Sequence, residues 1–298
     1  MPPGPPTTPG TRPNRLARVS EQTAPDNPKR AESSRDEAEA ADRRLHGSSF
    51  GAAAAAYAEH RPGYAEAAVR WALEPVRDRQ LVRVADIGAG TGKLTATLAG
   101  LGAEVTTVEP DPQMLAELRR AMPAVRSVPG SAEEIPLPDA SLDAVLAGQA
   151  MHWFDMDRAL PEIARVLRPG GVLAGLWNVD DDRVGWVARL AEISKRKSSI
   201  TLTRWRDGEA QSRQERLLGA GSDRFAAAEA GEFGHGQART ADSLLATIGT
   251  HSHLLVMEEA ERARLLARTG DFLRSQPETA HGEFTLPMVT VVLRTRRR

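Results

Sequence analysis

The chain has 298 residues, with 39 basic against 40 acidic side chains, a net charge of −1 and no cysteine. A neutral balance provides no global field to draw nucleic acid. The lack of thiols excludes disulfides, thiolate nucleophiles and cysteine-ligated zinc, and it fits a cytoplasmic protein. Hydrophobic residues at 41% are enough for a core, yet no apolar run nears the roughly 18 residues a membrane span requires. Neither a membrane nor a nucleic acid is therefore expected as a partner.

Residues 1–47 read as a disordered tail. The first part is rich in Pro, Thr and Gly, the second is charged and alanine-rich with a nascent helix at 36–45, and neither buries enough apolar surface to offset ordering entropy. The domain is placed at 48–298. Its first half, 48–178, opens with helices at 51–58 and 65–74, separated by the turn Arg61-Pro62-Gly63-Tyr64. Then come a buried strand at 81–87, a glycine turn, a helix at 93–101 and a strand at 104–109. Asp111 and Pro112 are placed to cap and start a helix at 112–122. Strands at 125–128 and 142–147, a helix at 157–167, a turn at 168–171 and a strand at 172–177 complete the alternation. This order predicts an open, doubly wound, mostly parallel α/β sheet.

The pattern loosens over 179–298. A helix is expected at 186–193, irregular polar chain at 194–223 with Trp205 isolated in it, and a strand within 224–233. Helices at 241–248 and 258–273 and a last strand at 284–294 follow. His251 and His253 have no ligand set of recognisable spacing around them, so no metal is expected.

The chemistry concentrates in Val84-Ala85-Asp86-Ile87-Gly88-Ala89-Gly90-Thr91-Gly92. Glycines between a strand and a helix let a ligand approach bare backbone and meet the first helical N–H groups. The dinucleotide fingerprint is G-x-G-x-x-G; here the spacing is G-x-G-x-G, and Asp86 stands two residues before the first glycine. A carboxylate there repels pyrophosphate and attracts an ammonium or sulfonium. Glu109, at the end of the next strand, stands where a ribose acid belongs and can accept both ribose hydroxyls. Pro110 adjoins it, and Met114 is placed to pack against a purine.

These residues resemble motif I of the class I S-adenosylmethionine (SAM)-dependent methyltransferases. So does Gly130-Ser131-Ala132-Glu133-Glu134-Ile135-Pro136, which is similar to that family's adenine-holding stretch, with Ser131 where an Asp usually stands. The resemblance implies a Rossmann-like sheet of seven strands with the last antiparallel. It also implies adenine contacts from Ser131, Ala132 and Glu133, and a cofactor contact from Gln149. His152, in the Gln149-Ala150-Met151-His152-Trp153-Phe154 loop, becomes the candidate general base. Tyr57 and the Arg61–Tyr64 turn resemble the cap of a small-molecule subgroup that includes trans-aconitate methyltransferase-like proteins, so Tyr57 and Arg61 join the cofactor-binding candidates. The implied reaction is methyl transfer from SAM to a small-molecule acceptor, with oxygen of a carboxylate or hydroxyl favoured. Two alternatives stand beside it: a methyltransferase-fold protein that binds SAM but catalyses another reaction or senses the cofactor, and an NAD-dependent oxidoreductase, which the position of Asp86 opposes.

Overall fold

The computed structural model describes residues 62–195, 200–249, 254 and 257–298, all within a compact unit spanning Arg43–Arg298. The helices expected at 36–45 and 51–58, together with Tyr57 and Arg61, lie outside the described residues. The strands are β1 (Arg83–Ile87), β2 (Glu104–Glu109), β3 (Arg126–Pro129), β4 (Leu142–Gly148), β5 (Leu167–Asp180), β6 (Glu229–Arg239) and β7 (Phe284–Arg296). They form one seven-stranded sheet in the order β3-β2-β1-β4-β5-β7-β6. The first five are parallel, and β7 runs antiparallel to both neighbours. This is the doubly wound, Rossmann-like sheet with an antiparallel last strand that the sequence predicts.

Strand alternation sorts the core into two layers. Ala85 and Ile87 of β1 join Val145, Leu173 and Trp177 on one face. Val84 joins Ala144, Leu146 and Leu176 on the other. That second face is covered by α1 (Glu66–Leu73), whose Ala68, Val69, Ala72 and Leu73 form one buried stripe, and by α2 (Lys93–Gly100) through Leu94 and Leu98. Between β2 and β3, α3 (Pro112–Ala121) starts as expected: the Asp111 carboxylate accepts the N–H groups of Gln113 and Met114. On the first face lies α4 (Met156–Val166), which buries Ala159, Ile163 and Val166.

Three expectations need correction. The turn at 168–171 lies inside β5. Leu167 still pairs with Leu142, and the ladder resumes at Ala144 opposite Val172, so the intervening residues bulge out around Gly170 at φ +76°. Beyond β5, α5 (Gly185–Ile193) is where the periodicity puts it, but the stretch expected to be irregular contains α6 (Leu202–Arg206) and α7 (Glu209–Leu217). The stripe of α7 includes the buried Gln214 four residues after Ala210, which hides its amphipathic period. Trp205 of α6 is 2% exposed and stacks at an angle on Trp177, ring centroids 6.2 Å apart. Finally, β6 starts and ends later than expected. It carries Gly231, Gly234 and Gly236, residues depleted in strands, and pairing with β7 along its whole length holds it extended.

That pairing shapes the site. β5 ends with Asp180 opposite Met288, while the β6–β7 ladder continues to Arg239 opposite Phe284. The far end of β6 therefore rises above the carboxyl edge of the parallel strands. It is backed by α8 (Ala241–Gly249) and α9 (Glu259–Ser275), which share a separate apolar cluster with α5, Phe284, Leu286 and Met288. No helix among the described residues is long and apolar enough to cross a membrane.

Candidate active site

The order of strands reverses between β1 and β4, and ligands of such sheets bind outside the carboxyl ends at that point. A cleft opens there, walled by the ends of β1, β4 and β5 and by α2, β6, β7 and α8.

Its floor is the turn after β1. Register places Ile87 opposite Val108, and the Val108 carbonyl accepts the Gly88 N–H at 2.8 Å. Gly88 and Gly90 both adopt left-handed backbone, φ +66° and +55°, where a Cβ is strained. Their surroundings differ. A Cβ on Gly88 would lie 2.8 Å from the Ala150 Cβ, whereas a Cβ on Gly90 would meet nothing within 4 Å. Gly88 is thus tight for packing, and Gly90 leaves open space in the cleft.

Two carboxylates flank this turn. Asp86 is 1% exposed; its Oδ2 accepts the Thr95 hydroxyl at 2.6 Å, while Oδ1 has no hydrogen-bond partner among the described residues. Burial pushes its carboxyl up to about 7, with the Thr95 hydroxyl opposing and the Glu109 charge adding. A buried acceptor left without a partner costs about 1–3 kcal/mol, a cost that a cationic donor in the cleft would remove. Glu109, one residue beyond the β1–β2 ladder, accepts the Gly90 N–H through Oε2 at 2.8 Å and the Asp111 N–H through Oε1 at 2.9 Å. Burial raises its pKa, and those two donors oppose the rise. Two backbone bonds leave about half of a carboxylate's roughly four lone-pair sites for hydroxyls. Glu109 stands behind Gly90 and not on the cleft wall itself.

The opposite rim is tied together by side chains. Gln149, at φ +55°, donates from Nε2 to the Asn178 carbonyl at 2.8 Å and so links the ends of β4 and β5. Asn178 donates to the Gly63 carbonyl at 2.9 Å and accepts the Thr290 hydroxyl at 2.6 Å. The Thr290 oxygen in turn accepts the Ala65 N–H at 3.1 Å. This holds Pro62 and Tyr64 on the cleft wall, with the Tyr64 phenol directly over Gly148.

Residues 85–175 match the family described as a methyltransferase domain. The chain is 40% identical over 247 residues to an uncharacterized methyltransferase of Mycobacterium tuberculosis H37Rv, covering 83% of this chain and 94% of the relative. It belongs to the class I methyltransferase family. An uncharacterized methyltransferase-like protein of Schizosaccharomyces pombe is 31% identical over 224 residues, covering 74% of this methyltransferase and 84% of the relative. A solved structure from Anaeromyxobacter dehalogenans, proposed to be a type II methyltransferase, superposes with a TM-score of 0.57 at 29% identity, covering 80% of this chain and 97% of its own.

In this methyltransferase the predicted site residues divide. Asp86, Gly88, Ala89, Gly90 and Gln149 line the cleft. Gly92 caps α2 at φ +88° and faces the Leu118 and Met122 side chains. Pro110 and Ser131 are off the wall, Met114 is core of α3, and Ala132 packs beside Ile135 on the sheet face that buries Ala85 and Ile87. Glu133 is engaged elsewhere: its Oε1 accepts the Asp155 N–H at 2.7 Å, at the start of α4. His152 sits on the 3-10 turn Met151–Trp153, exposed, its ring 4.6 Å from that of Trp153, and not on the wall. Desolvation of the ring and the Arg213 charge lower its pKa to about 4. The residue as a whole is exposed, and it stands off the cleft wall. The sequence reading missed Lys93, Gln237, Arg239 and the apolar wall of α8 and β7. No local motif marks them; period-two alternation along β6, ending at the buried Arg239, was the only signal.

Proposed function

We propose that this methyltransferase uses SAM and transfers its methyl group to an oxygen of a small-molecule acceptor. The observation that carries this is the buried Asp86 with Oδ1 unpartnered, beside the open space over Gly90. When bound, SAM supplies a methyl group on a cationic sulfur, already activated toward a nucleophile. In this reading Asp86 receives the amino-acid ammonium, since a charged donor suits a buried carboxylate better than water does. Glu109 receives ribose hydroxyls through the lone pairs its two backbone donors leave. Gly88 and Gly90 let the cofactor lie against bare backbone, and Tyr64 and Gln149 close the far side.

The protein's work is then mainly alignment, which can supply roughly 7–11 kcal/mol of a barrier. An oxygen acceptor that is already ionised, such as a carboxylate, needs no proton removed, so alignment alone serves it. Pro62 and Tyr64 on the wall support the small-molecule subgroup with an N-terminal cap. Calorimetry with SAM, S-adenosylhomocysteine and NAD tests the cofactor. Micromolar heats with the first two and none with NAD are expected, and uptake of NAD alone would refute the assignment. Release of S-adenosylhomocysteine across an acceptor panel tests turnover.

A further inference from the structure

The proposed cofactor has a direction along the sheet. Its ammonium is assigned to Asp86 near the end of β1, and its ribose to Glu109 at the end of β2. Continued the same way, its base passes over the carboxyl end of the next strand, β3. Register puts Glu109 opposite Pro129 there, and the chain that leaves β3 is the loop 130–139.

This loop makes few bonds of its own. Gly130 donates to the Glu109 carbonyl at 3.4 Å, and a bridge joins Ser131 to Glu134. Its course is set from α4 instead. Arg165 Nη2 donates to the Ile135 carbonyl at 2.9 Å. Its Nη1 donates to the Leu137 carbonyl at 2.9 Å and to Asp139 Oδ1 at 2.7 Å. Glu162 Oε2 accepts the Ile135 N–H at 3.1 Å. Nε and Nη2 of Arg165 each reach Glu162 at 2.8 Å, and these bonds hold the Glu162 carboxyl below its usual range. A planar guanidinium can span two carboxylates and two carbonyls in this way; the point charge of an ammonium cannot. Towards the other end of the loop, Glu133 accepts the Asp155 N–H at 2.7 Å, at the start of the same helix. The loop is therefore strapped along α4, with Ala132, Ile135 and Leu137 buried beneath it and Ser131 half-buried beside Glu109.

We propose that Arg165, together with Glu162, is a positioning residue for the cofactor: it fixes the loop 130–139 as the edge that reads the base of SAM. This rests on the SAM-dependent reading above and adds the group that sets base selectivity within it. Arg165 acts through the loop backbone and not on the ligand. A backbone acceptor held in one place receives the exocyclic amine of adenine, whereas a base with an oxygen at that position leaves the acceptor unpaired.

The test is calorimetric, on the full chain, with S-adenosylhomocysteine and S-inosylhomocysteine, in which the exocyclic amine is replaced by oxygen. The wild-type chain should bind the adenine compound at least about tenfold more tightly. R165M, which keeps the apolar stem and removes the fork, should weaken S-adenosylhomocysteine by about tenfold while barely changing S-inosylhomocysteine, so that the preference collapses. E162Q keeps an oxygen at the clamp and removes its charge; it should give an intermediate loss with the same collapse in direction, and it decides the matter should R165M fail to fold. A folded variant that binds both compounds equally more weakly overturns the inference, because the clamp would then serve the fold alone. So does unchanged selectivity in both variants, or a wild-type chain that does not tell the two bases apart. Absence of heat with S-adenosylhomocysteine in the wild-type chain is a different failure, that of the cofactor assignment, and the inference falls with it.

Discussion

The two ends of the cleft are built by different means. The floor at β1 and β2 is a local construction: Asp86, Gly88, Gly90 and Glu109 lie within 24 residues of chain and are locked by short backbone bonds to Val108 and Asp111. The raised wall at β6 and β7 is a long-range one, where Arg239 reaches the cleft only because eleven residues of β6 pair with β7. The floor is acidic, tight and set by glycine; the wall is basic and apolar and set by register. At the floor, the left-handed glycines Gly88 and Gly90 resist any side chain, whereas at the wall the side chains of β6 are set by its pairing with β7.

The largest effect should come from the floor. Gly88→Ala places a Cβ 2.8 Å from that of Ala150 at a left-handed position. Strain and overpacking together should destabilise the fold by roughly 2–5 kcal/mol, read in urea unfolding. Gly90→Ala, with nothing within 4 Å, should cost only the strain, about 1–2 kcal/mol, but should weaken S-adenosylhomocysteine. Equal stability losses in the two would break the distinction between a packing glycine and a cradle glycine.

Next is Asp86→Asn, which keeps an oxygen for Thr95 and removes the charge. S-adenosylhomocysteine affinity at pH 8 should fall about 10- to 100-fold, the loss of about 1.5–3 kcal/mol from a charged hydrogen bond. The melting temperature of the unliganded protein should nevertheless rise at pH 8, because a buried ionised carboxylate is removed. An unchanged affinity would mean that Asp86 does not meet the cofactor.

The same carboxyl predicts a pH dependence. Its ordinary value is 3.8 and its folded value about 7, so between these the folded state holds the proton that the unfolded chain has lost. Stability of the unliganded protein from this group therefore falls as pH rises from about 4 to about 7 and levels off above. Ligand binding runs the other way: only the ionised form receives an ammonium, so S-adenosylhomocysteine affinity should rise up to about tenfold per pH unit below 7 and plateau by pH 8. Asp86→Asn should flatten both trends.

The smallest effect is expected at His152. His152→Ala should keep kcat/KM within about twofold with an unaltered pH profile, the size of a surface change of roughly 0.5 kcal/mol. A large loss with a displaced pH limb would establish the imidazole as a base.

What the sequence determined by itself is the half whose interactions are short-range. β1 through β4, the Asp111 cap and the placement of Asp86 and Glu109 at neighbouring strand ends follow from spacing along the chain, because burial period and glycine position act within a few residues. What only the tertiary structure decided is everything that depends on partners far away. Gly-rich β6 becomes a strand against β7. Polar α7 is a helix whose buried stripe includes Gln214 beside Ala210. Glu133 is drawn to the Asp155 N–H instead of into the cleft, and Arg239 faces Lys93 across nearly 150 residues of chain. Those outcomes rest on register and packing between distant segments, which residue spacing does not encode.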